Sequence, residues 1–145
     1  MIPVSETNDY FRALLELPEF SDLAGVKSVV DDSHASGKLR SASGIQLVVV
    51  MPTVTQWGDS NNNRQQSTLM LFVVEKTSGP AGDDETEEVS YTRLQQLICR
   101  LVQRIKDDAS QGDRRWYNVG DADIEFDPEY NVFGGWNGWS ATFVF

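Results

Sequence analysis

Phe133-Gly-Gly-Trp-Asn-Gly-Trp-Ser-Ala-Thr-Phe-Val-Phe145 is a glycine-rich, tryptophan-bearing turn that runs straight into an alternating strand. Side chains on a strand point to opposite faces in turn. Trp139, Ala141, Phe143 and Phe145 therefore share one side, and Ser140, Thr142 and Val144 the other. An aromatic core side that continues to Phe145 predicts a strand tied into the sheet up to that residue, where chain ends usually fray.

Working outward, the clearest further strand is 44–51, where Ile45, Leu47, Val48, Val49 and Val50 form a nearly continuous apolar run. Such a run predicts a central strand covered on both faces. Pro52 lacks an N–H and is expected to end the ladder. A polar loop over 58–67, too long for a tight hairpin but compatible with antiparallel neighbours, leads to a second strand over 68–77. Residues 121–127 alternate strictly, with Asp121, Asp123, Glu125 and Asp127 on one face and Ala122, Ile124 and Phe126 on the other. Pro128 and a turn over 131–138 are expected to close that strand.

Two helices complete the reading. Residues 5–17 carry Phe11, Leu14 and Leu15 at helical spacing, with Ser5, Thr7 or Asn8 as the cap and Pro18 as the stop. A stronger helix starts at a Ser90 cap and runs to about residue 108, with Tyr91, Leu94, Leu97, Ile98, Leu101, Val102 and Ile105 three and four apart. Residues 18–43 and 78–88 read as loop-rich, with a short strand around Val26, Val29 and Val30 and a polar turn over 31–37. The expected fold is a single α+β domain over 1–145. It has a mixed or antiparallel sheet of about four strands and two main helices, in the order helix, strand, strand, helix, strand, strand.

Composition excludes several functions. Lys+Arg 12 against Asp+Glu 22 gives a formal charge of -10, which argues against binding built on phosphate neutralisation. Arg114 and Arg115 are the one adjacent basic pair. One cysteine, Cys99, permits no intrachain disulfide and reads as a small apolar helix residue. The N-terminal residues lack a basic stretch followed by an apolar run, so no signal peptide is expected. No apolar stretch approaches the roughly 20 residues needed to cross a bilayer. A soluble, cytoplasmic protein without a membrane partner is the expectation.

No motif names a reaction. The acids at 121, 123, 125 and 127 resemble the start of an EF-hand loop, but Phe126 stands where the glycine belongs and Val132 where the glutamate does. On a strand they stand about 6–7 Å apart, so they read as a solvated face or a negatively charged contact surface. His34, the one histidine, sits in a polar stretch without companion zinc ligands. Neither a Gly-x-Ser-x-Gly elbow nor a phosphate-cradling loop is present. No metal, cofactor or enzymatic activity is expected. Trp139 belongs to the core side of its strand, whereas Trp136 and Trp57 read equally well as core caps or as partner anchors.

In its element order the chain resembles the tail-terminator, or tail-completion, proteins of long-tailed phages, found in virions and in prophages. The matching elements are the helix ending at Leu17, strands 45–50 and 69–74, helix 91–105, and strands 122–126 and 140–144. The aromatic ending Gly138-Trp-Ser-Ala-Thr-Phe-Val-Phe145 is similar to the family's closing strand. The resemblance implies a structural, non-enzymatic role in virion assembly. Such proteins form rings, often hexameric, that cap the tail tube and face the head connector.

The implied partners are further copies of itself, tail-tube protein and head-connector protein, with no sequence-specific nucleic acid. Location would be cytoplasmic during assembly and then the virion. The residues singled out as partner-facing are Trp57, Asp121, Asp123, Glu125, Asp127, Trp136 and Asn137. An acidic strand face suits a lumen that conducts DNA without holding it, or a charge-matched subunit contact. The rival reading is a monomeric module that binds a ligand or protein through its loop tryptophans.

Overall fold

The computed structural model describes residues 2–76, 84–120 and 122–145. Its elements are α1 (Val4–Leu14), β1 (Leu23–Val29), α2 (Asp32–Leu39), β2 (Ile45–Trp57), β3 (Arg64–Lys76), α3 (Asp84–Ser110), β4 (Asp123–Val132) and β5 (Trp136–Val144), with 3-10 turns at Pro18–Phe20 and Arg114–Trp116. The five strands form one sheet in the order β1-β2-β3-β5-β4. The β1–β2 pair is parallel and every other pair antiparallel. The α+β class is as expected; the short strand read around Val26, Val29 and Val30 is β1, which joins the sheet as a fifth strand and ends at Val29, and α2 is a helix the sequence pattern did not show.

The sheet has a core on each face. On the first, α1 and α3 lay Tyr10, Phe11, Leu14, Leu94, Ile98, Leu101 and Ile105 over Leu47, Val49, Leu69, Leu71, Val73, Ala141 and Phe143. Trp139 and Phe145 pack at the margin of that layer, as the alternation of β5 predicts. On the second face, Ala35 and Leu39 of α2 pack with Val29, Val48, Phe72, Val74, Phe133 and Trp136. β2 thus buries both its faces, Leu47 and Val49 on one and Val48 on the other, which explains its unbroken aliphatic run.

Several boundaries differ from expectation for identifiable reasons. α1 has Pro3 at its N-cap position and no side-chain cap. Thr7 lies inside the helix, its Oγ1 donating to the Pro3 carbonyl at 3.2 Å. α1 ends at Leu14, and the amides of Leu15, Glu16 and Leu17 then close tighter turns on residues three back before Pro18 opens a 3-10 turn. The polar stretch 31–37 is mostly helix. Asp31 caps α2 by accepting from the His34 amide at 2.8 Å, while His34 Nδ1 accepts from the Val30 amide at 3.1 Å. This reciprocal pair resembles a capping box and offsets a composition poor in strong helix formers.

Proline ends neither of the strands it was expected to end. At Pro52 the β2–β3 register shifts between Val50↔Met70 and Thr53↔Thr68, so Met51 and Pro52 together stand opposite Leu69. A bulge of this kind absorbs a missing donor. Pro128 lies on β4, an edge strand with β5 as its one partner among the described residues, where no second ladder needs its N–H. α3 begins by Asp84, so 84–88 is helix and 78–83 lies outside the described residues. Asp84, Glu85 and Glu87 suit the positive end of the helix dipole. Ser90, inside that helix, donates to Glu75 of β3, and Cys99 lies exposed off the apolar stripe of α3.

Candidate functional site

β2 and β3 are each 13 residues long, more than the core needs. The backbone of Phe145 exchanges both hydrogen bonds with Ser67. Beyond that point the ladder Thr55↔Gln66, Gln56↔Gln65, Trp57↔Arg64 has no third strand beside it among the described residues. The strand expected to stop at Met51 therefore continues into a projecting arm, and the loop expected over 58–67 shrinks to 58–63. Asp59 organises the tip, its Oδ1 accepting from the amides of Asn61 and Asn62, each at 2.9 Å. Gly58 has φ +104, and a Cβ there would lie 1.9 Å from the Asn62 carbonyl oxygen, so only glycine fits. Trp57 is 46% exposed at this tip, beside a shallow cleft of about 440 Å³ lined by Gln56, Gly58, Asp59, Ser60 and Asn63.

The acidic row lies on the edge strand. Asp123, Glu125, Asp127 and Glu129 stand opposite Val144, Thr142, Ser140 and Gly138 of β5. Glu129 is anchored by the buried Ser140 hydroxyl, which donates to its Oε1 at 2.8 Å. Asp123, Glu125 and Asp127 are exposed and have no ion-pair partner among the described residues. Asp121 lies outside the described residues. The row belongs to the second face, since Ser140 pairs with Phe72. Away from α2 that face is open, with Val50, Met70 and Thr142 half-buried and Val144 exposed. Among the described residues no group of three or more His, Cys, Asp or Glu is placed to hold a metal ion.

Trp136 and Asn137 are spent on the fold. Trp136 is 2% exposed in the second core, next to Phe133, whose ring meets Phe72 edge-on at 4.9 Å. This packing holds Phe133 at φ +54, a conformation rare outside glycine. Asn137 is buried, and its Oδ1 accepts from the Asn131 amide at 2.7 Å, closing the β4–β5 turn. Their side chains leave little surface for a partner. Trp57 and the acidic row remain the exposed members of the expected set. Trp139 donates from Nε1 to the Tyr91 carbonyl at 2.9 Å, tying β5 to α3.

Of the basic pair, Arg115 helps hold the first-face layer together. Arg115 pairs with Asp113 at 2.6 Å and lies 4.9 Å over the Tyr10 ring. Tyr10 donates to Asp108 at 2.7 Å, and Arg104 bridges Asp108 and Glu19. Burial, reinforced by the hydrogen bond to Asp108, raises the Tyr10 phenol well above its ordinary value. The Arg115 guanidinium holds the Asp113 carboxyl below the usual carboxylate range. Arg114 lines a cleft of about 310 Å³ with Glu6, Gln65 and Phe145 at the root of the arm.

No family model, curated protein or solved structure matches this chain. The fold is a compact α+β domain with helices on both faces of a five-stranded mixed sheet. None of the described helices is long and apolar enough to cross a membrane.

Proposed function

We propose that this chain is a structural, non-enzymatic assembly protein of a long-tailed phage or prophage, of the tail-terminator type. It closes into a homo-oligomeric ring at the end of the tail tube or at the head–tail junction. The observation that carries the reading is the arm built by the outer halves of β2 and β3. It projects past both cores, presents Thr53, Thr55, Gln56, Gln65 and Gln66, and ends at an exposed Trp57. An isolated hairpin of this kind gains little stability by itself, so its use is to reach another molecule. The unpaired acidic row offers a second contact or a lumen wall that repels DNA. Further copies of the chain, tail-tube protein and head-connector protein are the partners, in the cytoplasm during assembly and then in the virion.

The test is the mass of the purified protein by light scattering, alone and with tail tubes, followed by negative-stain imaging. Closed rings or tube-end binding are expected. A strict monomer at high concentration that ignores tail tubes overturns the reading.

Exposure of Trp57 over its polar cleft favours a second reading, a monomeric module that binds a ligand or protein through that ring. Trp116 and Trp136 are buried and the half-buried Trp139 is tied to α3, so a change in tryptophan emission that is lost in Trp57→Phe would report on Trp57. Emission unchanged across a glycan panel and lysate fractions sinks this alternative.

A further inference from the structure

The second face is covered over only part of its area. Ala35 and Leu39 of α2 pack with Val29, Val48, Phe72 and Val74, and Phe133 and Trp136 close the side of the β4–β5 turn. Two cross-strand rows next to that cover stand open. One runs Val50, Met70, Thr142, Glu125, and the next runs Thr53, Thr68, Val144, Asp123. Val50, Met70, Thr68 and Thr142 are half-buried, and Thr53 and Val144 are exposed. The row on the covered side begins at Lys27, passes Val48, Phe72 and Ser140, and ends at Asp127. The open floor is thus apolar or threonine. Its β4 rim is three exposed carboxylates, Asp123, Glu125 and Asp127, with no ion-pair partner among the described residues. Lys27 stands at the opposite edge, about 19 Å away over four strand spacings. Arg64 stands two rows further out beside Trp57, so neither cation neutralises the rim.

We infer that this open floor seats a basic amphipathic helix of another protein, laid along the strands beside α2. Its apolar stripe rests on Met70, Thr142 and Val144, and its Lys or Arg residues meet Asp123, Glu125 and Asp127. Rim charge selects the sign of the partner, and spacing selects its form. Alternate residues of β4 stand about 6–7 Å apart, and residues four apart on a helix about 6 Å. Cations at i, i+4 and i+8 therefore meet the three carboxylates in turn.

A strand is a poorer occupant than a helix. Laid on the floor alone, it leaves its own N–H and C=O groups unpaired, whereas a helix satisfies them internally. The β4 edge does not invite a strand either. Phe145 and Ser67 exchange both hydrogen bonds, and counting across β5 from that pair turns Pro128, which has no N–H, to the open edge.

A second copy of this chain does not supply the helix. α1 and α2 carry a single Arg or Lys each, Arg12 and Lys38. α3 buries its apolar stripe in the first core, and Glu75 and Asp108 hold its Arg93 and Arg104. The inference goes beyond the ring reading and does not depend on it; of the two uses that reading leaves to the acidic row, it selects the contact.

The experiment uses the full chain and a fluorescein-labelled synthetic peptide of about 18 residues, long enough to form a helix. The peptide carries a leucine stripe flanked by lysines at i, i+4 and i+8. Fluorescence anisotropy is expected to show saturable binding that weakens with added salt. Affinity should fall about tenfold in the Asp123→Asn/Glu125→Gln/Asp127→Asn triple variant. It should fall as far in Val144→Arg, which fills the floor and sets a cation against Asp123. Removing the same charge from α3, by Asp84→Asn/Glu85→Gln/Glu88→Gln, should change affinity less than about twofold. A peptide with glutamate in place of each lysine should not bind, and the Met70 methyl resonance should shift only with the lysine peptide.

Absence of saturable binding, or equal weakening by the β4 and α3 triple variants, overturns the inference while the ring reading stands. A strict monomer that ignores tail tubes yet binds the peptide through its β4 carboxylates overturns the ring reading and upholds the inference. Circular dichroism of each variant, expected to match the parent, separates loss of contact from loss of fold.

Discussion

From Gln46↔Val74 to Val50↔Met70 the β2–β3 ladder is buried or nearly so on both faces, whereas from Thr55↔Gln66 to Trp57↔Arg64 the same two strands are exposed on both. The backbone pairing is continuous apart from one bulge, so the difference lies in the side chains. Valine, leucine and phenylalanine give way to threonine and glutamine. In the inner half, cross-strand hydrogen bonds are supplemented by hydrophobic burial, at about 25 cal/mol per Å² of apolar surface. In the outer half they are not, and the arm is held by its attachment to the inner half and by the Asp59 turn. The two halves of one hairpin thus divide folding from display.

The sharpest way to test that division is to damage each half in turn. Leu71→Ala, at a fully buried inner position, is expected to cost about 2–5 kcal/mol through lost burial and a residual cavity. The urea midpoint measures this, and a loss under 1 kcal/mol would mean the inner half is not the core. Gly58→Ala is next. The strained φ and the clash with Asn62 predict a loss of about 1–3 kcal/mol, felt mainly in the arm. Hydrogen exchange should quicken at Trp57 and Arg64 while Leu71 keeps its protection; equal quickening at all three would contradict a separable arm.

Acid probes the inner half from its helix layer. Arg115 depresses the folded pKa of Asp113, so that ion pair stabilises the fold above the unfolded carboxylate value of about 3.9. The contribution is lost as pH falls through the lower folded value. Asp113→Asn should flatten this part of the stability–pH profile. The loss at neutral pH should not exceed about 1 kcal/mol, as is usual for a partly exposed pair; an unchanged acid profile would remove the clamp from the account. The smallest effect on stability belongs to Trp57→Ala, within about 0.5 kcal/mol. Its effect on binding to tail tubes should be large, and a variant that binds normally would leave the arm without its assigned use.

The inner half was legible in the sequence and the arm was not. Aliphatic runs, the alternation of β5 and the stripe of α3 are local consequences of burial, and each was placed correctly. The arm has no apolar side, so its Thr and Gln residues carry no periodic signal. α2 was missed because Ser33-His34-Ala35-Ser36-Gly37 is weak helix material stabilised by the Asp31 cap and by Ala35 and Leu39 meeting the sheet. The acidic row was visible as a face. That Lys27 stands at the far end of its row depends on strand order, which no local pattern encodes. Trp136, flanked by glycine and asparagine, looked as much like a contact as like a core residue. Only the packing of Phe133 and Phe72 around it settles its place.

The bulge at Met51 and Pro52 sets the handedness with which the arm shows its side chains. One extra residue restores parity after Val50, so Thr53, Thr55 and Trp57 follow Met70 and Thr68 onto the side that carries the carboxylate row. Pairing Met51 and Pro52 one-to-one with β3, with no bulge, would set Thr53 against Ser67 and send Trp57 to the side of α1 and α3. Orientation of the tip relative to the charged edge is thus a matter of counting, held by one insertion.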